Sequence, residues 1–336
     1  MIAPLRPSHT NQPLVSVVIP CYNAERWISH AILSCLEQSY RPIEIIVIDD
    51  GSTDRSRDIL ASYSRVITWE TGPNRGGNVA RNRGLALAQG AYVQFLDADD
   101  YLLPDKIATQ VAALATTGAD GVWGDKIWHH LNEHWRLGQQ QVRQAPTTPD
   151  TLEALLGGLN IQTATVLLRR QAILDGGGWD ETLTSGQETD LLLRMLIAGS
   201  QLHYVAGIGA VIRRVPGSVS SKPIRARINN QRIRERALYL LERTQRLTPA
   251  YQRAAAQIYF TFAQLAFANG EPARVYHELL HKAYALDPAF HPRQHTRRPS
   301  EIYCRMYDWC GFTIAETLVR LRRQSQRKLR TIVRQT

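Results

Sequence analysis

Through its first hundred residues the chain alternates short apolar runs with segments whose apolar residues recur at helical spacing. Residues 15–19 form a β-branched run closed by Pro20, and residues 23–36 place Ile28, Ile32, Leu33 and Leu36 on one helical face. A second run at 44–48 precedes a helix predicted over 54–63, with Ser52 or Thr53 as its cap and Ile59 and Leu60 facing inward. A third strand is predicted at 66–69, followed by a loop of Gly, Asn and Arg, a helix over 78–88 and a strand at 92–96. This alternation implies an α/β domain with a mostly parallel sheet and right-handed crossovers. Ligands of such sheets bind beyond the carboxyl ends of the strands. Pro20-Cys21-Tyr22, Asp49-Asp50 and Asp97-Ala98-Asp99-Asp100 are therefore expected at one cleft.

The pattern continues with a helix at 152–156, a strand at 163–168, a glycine-rich turn from Gly176 to Glu181 and a helix over 188–198. Beyond the Pro/Gly/Ser-rich stretch 216–223 the composition shifts to Arg, Gln, Ala and Leu, and 224–288 reads as successive helices. Residues 254–269 and 273–286 resemble one tetratricopeptide-like helix pair, and one pair falls short of the roughly three repeats an independent solenoid needs. Residues 312–333 set Ile314, Leu318, Leu321, Leu329 and Ile332 near one face of a helix, crowded by Arg320, Arg322, Arg323, Arg327, Lys328 and Arg330. Such a basic amphipathic helix suits an anionic bilayer interface, as it also suits docking on the protein with its arginines in solvent. The expected organisation is a flexible N-terminus at 1–12, the α/β domain at 13–221 and a basic all-helical region at 222–336.

The net charge of +10 belongs to the C-terminal part: residues 1–221 carry 18 basic and 22 acidic side chains (net −4), residues 222–336 carry 22 and 8 (net +14). With 44% hydrophobic and 21% charged residues over 336 positions, the chain is long and apolar enough for one large α/β domain plus a smaller appendage, or for two ordinary domains. Cys21, Cys35, Cys304 and Cys310 form two distant pairs without CxxC spacing and read as reduced thiols. Neither an apolar leader at 1–13 nor a run of about 18 apolar residues is present, so the expectation is a cytoplasmic protein, at most peripheral on the inner face of the membrane. The basic tail lacks a readout module for nucleic acid, which is not expected as a partner.

Three carboxylates within four residues at a strand end repel one another unless a cation or cationic partner is near. That makes Asp97, Asp99 and Asp100 the leading candidates for a metal site. The first strand-to-helix turn, Pro20-Cys21-Tyr22-Asn23-Ala24, has no glycine, which excludes a dinucleotide fingerprint, and a P-loop is also absent.

Four motifs in order, Val15-Ser16-Val17-Val18-Ile19-Pro20-Cys21-Tyr22-Asn23, Val47-Ile48-Asp49-Asp50-Gly51-Ser52-Thr53-Asp54, Gly76-Gly77-Asn78-Val79-Ala80-Arg81-Asn82-Arg83-Gly84 and Phe95-Leu96-Asp97-Ala98-Asp99-Asp100, resemble the family 2 glycosyltransferases of GT-A fold. The resemblance covers residues 13–215. It implies a GT-A type nucleotide-diphospho-sugar transferase fold and transfer of a sugar, with inversion, from a nucleotide-diphosphate donor to a saccharide or lipid-linked saccharide acceptor. It further implies Mg²⁺ or Mn²⁺ on Asp99, with Asp97 or Asp100 directly or through water, bridging the donor phosphates. Pro20, Tyr22, Asn23 and Asp50 resemble the base-binding positions, and a carboxylate accepting the uracil N3 proton favours a UDP-sugar. Arg75 and Arg81 flank the Gly76-Gly77 turn, where guanidinium groups can approach phosphates. Ser52 and Asp54 also suit helix capping, Pro20 a strand end, and Asn82 a loop brace.

An inverting transfer needs a general base for the acceptor hydroxyl. In the family this is a Glu-Asp pair about six residues before an arginine. Counting back from Arg194 finds Gln187-Glu188, a departure that puts Glu188 at the catalytic position, with Asp190 as the second candidate. Trp179, beside Asp180-Glu181, is either an acceptor platform or a core residue. The competing readings are a catalytically inactive relative acting as a scaffold or binding protein and a nucleotidyltransferase, which would generally carry a glycine-rich loop after the first strand.

Overall fold

The structure is a computed structural model and describes residues 12–131, 137–143, 150–214, 223–292 and 300–333. The predicted flexible segment at 1–12, save its last residue, and the stretch 216–222 lie outside the described residues, as do the side chains of 322–333.

Two compact units divide the chain, one comprising 1–152 and 159–222, the other 153–158 and 223–336. In the first, strands β1 (Val15–Cys21), β2 (Ile43–Asp49), β3 (Thr68–Thr71) and β4 (Tyr92–Phe95) pair in parallel in the order β3-β2-β1-β4. Helices α1 (Ile28–Leu36), α2 (Ser56–Ser62) and α3 (Gly77–Leu87) make the crossovers. The third strand lies two residues beyond its predicted place: Val66 and Ile67 form part of the turn after α2, where their N–H groups bond to the Tyr63 carbonyl. All residues of β1 except Pro20 are buried, because the sheet is covered on both faces. Helix α3 lies close over β1 at Gly84, where a Cβ would stand 2.3 Å from Val18 Cγ1.

Past β4 the sheet becomes mixed. The predicted strand at 163–168 begins with a 3₁₀ turn, Thr163–Thr165, and continues as β8 (Val166–Arg169), antiparallel between β4 and β6 (Gly121–Leu131). Strand β9 (Leu202–Arg214) runs parallel to β6, and the two-residue β5 (Tyr101–Leu102) closes the edge against β9. β7 (Leu137–Arg143) pairs with β6 off the main path. Helices α4 (Lys106–Thr117), α5 (Thr151–Leu156), α6 (Arg170–Asp175) and α7 (Gln187–Ile197) complete the elements up to β9.

The second unit contains α8 (Pro223–Arg243), α9 (Pro249–Ala268), α10 (Ala273–Leu286) and α11 (Glu301–Val333), the last interrupted at Gly311, whose φ of 73° breaks the helix. α9 and α10 are the two helices of the repeat-like pair, and their core joins Tyr259, Phe260, Phe262 and Tyr276 to Phe290 and Phe312. An ion pair of 2.6 Å between Arg227 and Glu271, both buried side chains, ties α8 to the turn before α10. Among the described residues no helix is long and apolar enough to cross a membrane.

Candidate functional site

The first two strand ends are stitched to each other. The Asn23 N–H donates to Ser52 Oγ at 3.0 Å, the Thr53 N–H to Asn23 Oδ1 at 2.8 Å, and the Ala24 N–H to Ser56 Oγ at 2.9 Å. Pro20 stands inside β1 opposite Ile48, and Tyr22, half exposed, projects from the loop that follows. Asp49 is fully buried; it accepts from the Thr71 hydroxyl at 2.6 Å and the Ser52 N–H at 3.2 Å, so it serves the loop. Asp50 faces the next loop instead: its two oxygens accept the backbone N–H groups of Arg75 (2.7 Å) and Gly76 (2.9 Å). Gly76, at φ 100°, is what lets the chain present both N–H groups and then enter α3. The Arg75 side chain is exposed at this rim. Burial, with the charge of Asp49 next, pushes the Cys21 thiol up to about 12, so it stays neutral.

The acidic turn after β4 is held from two sides. Arg81 on α3 donates to Asp97 Oδ1 at 2.6 Å and to Asn78 Oδ1 at 2.9 Å, while its Nε has no partner. Burial pulls the Arg81 guanidinium down, but the charges of Asp97, Glu188 and Asp99 outweigh it and raise the group overall, so three carboxylates share one buried cation. From β9, Arg213 donates its backbone N–H to Asp100 Oδ1 (2.8 Å) and its Nη1 to the Asp99 carbonyl (2.7 Å). Its guanidinium lies between the rings of Trp27 (4.8 Å) and Tyr101 (4.7 Å) and also contacts His30. Sequence reasoning missed Arg213: it sits 113 positions from Asp100, and only the β5–β9 pairing brings them together.

Glu188 is the second residue of α7, after Gly186 and Gln187, and accepts a hydrogen bond from Thr163 Oγ1 at 2.9 Å. Asp190, two residues further on, is buried and paired with Arg194 at 2.7 Å, and Arg194 continues to the carbonyls of Gly176 and Gly178. Trp179 is 4% exposed, its ring edge against Phe95 and its face under Arg81 at 4.9 Å. It is a core residue and offers no platform. Asn78 donates to the carbonyls of Asp180 and Leu183, and Asn82 exchanges hydrogen bonds with the Trp179 backbone. Helix α3 therefore braces the turn leading to Glu188 with the same face that carries Arg81.

Among the described residues no group of three His, Cys, Asp or Glu side chains is arranged as a metal site. The chemistry of the acidic turn nonetheless suits a hard divalent cation, which takes carboxylate oxygens. Burial, then the charge of Asp97, pushes the Asp99 carboxyl up to about 6; burial, then Asp99 and Asp97, raises Asp100 well above the usual range. A cation beside these carboxylates relieves both penalties. Asp100 is already committed to the Arg213 N–H, and one oxygen of Asp97 to Arg81. Asp99 accepts from its own backbone N–H and remains a candidate ligand.

Residues 16–178 match the family model described as glycosyl transferase family 2. An uncharacterized glycosyltransferase of Haemophilus influenzae is 38% identical over 169 residues, 48% of this chain and 65% of the relative. The Escherichia coli UDP-Glc:alpha-D-GlcNAc-diphosphoundecaprenol beta-1,3-glucosyltransferase WfaP is 32% identical over 164 residues, 48% of this chain and 62% of the relative. The chain thus spans just under two thirds of the length of these two relatives. Among solved structures, residues 1–349 of Staphylococcus aureus TarS in complex with UDP-GlcNAc superpose with a TM-score of 0.55 at 20% identity, over 81% of this chain and 88% of that one. The mannosyltransferase PcManGT of Pyrobaculum calidifontis, in complex with GDP-Man and Mn²⁺, gives 0.50 at 16% identity, over 94% and 81%. Both share the GT-A fold of this chain.

Proposed function

Residues 16–178 belong to glycosyl transferase family 2, and from that premise we propose that the protein is an inverting, metal-dependent glycosyltransferase using a nucleotide-diphosphate sugar, with a UDP-sugar as the favoured donor. The observation that carries the reading is the gathering of Asp97, Asp99 and Glu188 around the buried Arg81. The shared charge environment supports a reading in which Asp97 and Asp99 are cation ligands and Glu188 is the base that sugar transfer requires.

Tyr22, Asn23 and the Asp50-held loop would receive the nucleoside, and Arg75 and Arg81 the diphosphate side. Mg²⁺ or Mn²⁺, held by Asp99 with Asp97, would supply charge neutralisation for the departing diphosphate. Glu188 takes the proton from the acceptor hydroxyl as its oxygen forms the new bond to the anomeric carbon. The bond from that carbon to the diphosphate breaks on the opposite side, and the nucleotide leaves with the electron pair. The pairing of Asp190 with Arg194 supports Glu188 over Asp190 as the base.

The acceptor we favour is a saccharide or lipid-linked saccharide of surface-polysaccharide assembly, supported by the lipid-linked substrate in the E. coli relative's name. A peripheral position on the cytoplasmic face of the membrane fits that acceptor. On α11, Ile314, Leu318 and Leu321 are exposed at helical spacing, and six Arg and Lys residues lie between 320 and 330. Co-sedimentation with phosphatidylglycerol vesicles, lost on neutral vesicles, is the expected behaviour; equal recovery on both, or none, contradicts it.

The test of the activity is turnover of UDP-glucose, UDP-GlcNAc and GDP-mannose with and without Mn²⁺. Nucleotide release that depends on the metal and disappears in Glu188→Gln supports the reading. Full activity in Glu188→Gln refutes the base assignment, and no release with any donor favours the scaffold alternative.

A further inference from the structure

Thr163 has a place in this site that follows from its surroundings. Its hydroxyl donates to Glu188 Oε1 at 2.9 Å across 25 residues of chain, and the residue is almost wholly buried. It belongs to the one-turn 3₁₀ segment Thr163–Thr165 that enters β8 from the interior of the sheet. That segment is fixed by amide side chains from two other elements. Gln94 of β4, fully buried, donates from Nε2 to the Thr163 carbonyl at 3.2 Å, and Gln110 of α4 donates to the Thr165 carbonyl at 2.9 Å. Gln94 is held in turn by Lys106, whose Nζ donates to the Gln94 carbonyl oxygen and the Val166 backbone oxygen.

A glutamate at the opening of a helix has three side-chain torsions to fix, and each free torsion spreads the carboxylate over positions from which it cannot reach an acceptor. One hydroxyl, itself mounted on a turn with both ends tied down, removes most of that freedom. It occupies a single lone pair of Oε1 and leaves Oε2 free for a proton. We propose that Thr163 is a positioning residue for Glu188, and that the buried polar thread Lys106–Gln94–Thr163 exists to hold the base in its reactive rotamer. The inference rests on the reading of Glu188 as the base.

Four variants separate the positioning role from the base assignment. In the donor assay above, with the nucleotide sugar that supports metal-dependent release, Thr163→Val should lower kcat about 10- to 100-fold, the scale of a base displaced by a fraction of an ångström to an ångström. The donor KM should stay within about twofold, since the Thr163 hydrogen bonds run to Glu188 and Gln94 and not to the residues proposed to receive the donor. Thr163→Ser restores the hydroxyl and should recover kcat to within about threefold of wild type. Glu188→Gln should be inactive, and adding Thr163→Val to it should cost nothing further. If Glu188→Gln is inactive while Thr163→Val keeps full kcat, or if Thr163→Ser is as impaired as Thr163→Val, the positioning role is wrong and the base assignment stands. If Glu188→Gln turns over normally, the base assignment fails and takes the positioning role with it. Thermal melting of each variant within a few degrees of wild type excludes a folding cause.

Discussion

Arg81 Nη2 lies 2.6 Å from Asp97 Oδ1, and this ion pair joins the face of α3 that braces the turn before Glu188 to the acidic turn after β4. Arg81 is 7% exposed and stacks on Trp179, so its buried charge is compensated by the carboxylates around it. Removing one partner of a buried pair costs several kcal/mol, less where the other partner meets solvent, and a third of the Asp97 side chain does. Arg81→Met is therefore expected to lower unfolding stability by about 2 kcal/mol in urea titration. Arg81→Lys should fold better, yet still lose donor turnover at least tenfold, because a lysine cannot donate to Asp97 and Asn78 together from a planar fork.

Asp99 and Asp100, adjacent in sequence, are expected to fail in different ways. Asp99→Asn should abolish Mn²⁺-dependent turnover while leaving the melting temperature within a few degrees of wild type. Asp100→Asn weakens the anchor to the Arg213 N–H and should lower the melting temperature as well as activity. Differential scanning fluorimetry alongside the turnover assay checks both. Equal thermal losses in the two variants would contradict the distinction.

Asp190 gives a contrast with Glu188. Its pair with Arg194 is buried, and Arg194 also holds the glycine-rich turn through the Gly176 and Gly178 carbonyls. Asp190→Asn is expected to destabilise the domain by about 2–4 kcal/mol, measured by urea unfolding, as an uncompensated guanidinium is left in the interior. Glu188→Gln should leave stability within about 0.5 kcal/mol of wild type.

Lys106 predicts a pH dependence of stability. Burial holds its ammonium well below the ordinary lysine value of 10.5. The unfolded chain then binds a proton that the folded chain resists, so this residue makes folding less favourable at neutral pH and the penalty shrinks as pH rises toward 10.5. Lys106→Met removes the penalty, so the gap in urea midpoint between variant and wild type should narrow from pH 7 to pH 9.5 at the variant's expense. A gap that is constant with pH would contradict the assignment. The comparison cancels buried tyrosines such as Tyr259, which titrate in both proteins.

How far the chain itself foretells this site depends on sequence distance. The alternation of apolar runs and helical spacing fixes β1, β2, β4 and their helices, because each βαβ unit is local and buried on both faces. The strand ends therefore bring Pro20, Asp50 and Asp97–Asp100 into view without further help. Strands β6 and β9 escape notice. β6 carries Asp125 and Lys126 in buried positions, and β9 is broken by Gly207 and Gly209 with register shifts against β6, so neither shows clean alternation. Arg213 and Thr163 go with them: each acts on a residue brought near by strand pairing or by a 3₁₀ turn, and nothing local in their sequence marks that contact. Trp179 is ambiguous for the opposite reason, since an aromatic beside a glycine-rich turn suits a sugar platform and a core equally until Phe95 and Arg81 are seen to enclose it.

The measurement that bears most directly on the account is the stereochemical course and metal dependence of donor turnover, followed by proton NMR on UDP-α-glucose with and without Mn²⁺. Inverting transfer gives β-configured product, formed only with the metal and absent in both Asp99→Asn and Glu188→Gln. Retained α configuration, or turnover unchanged in either variant, would contradict the assignment of Asp99 and Glu188 to an inverting transfer.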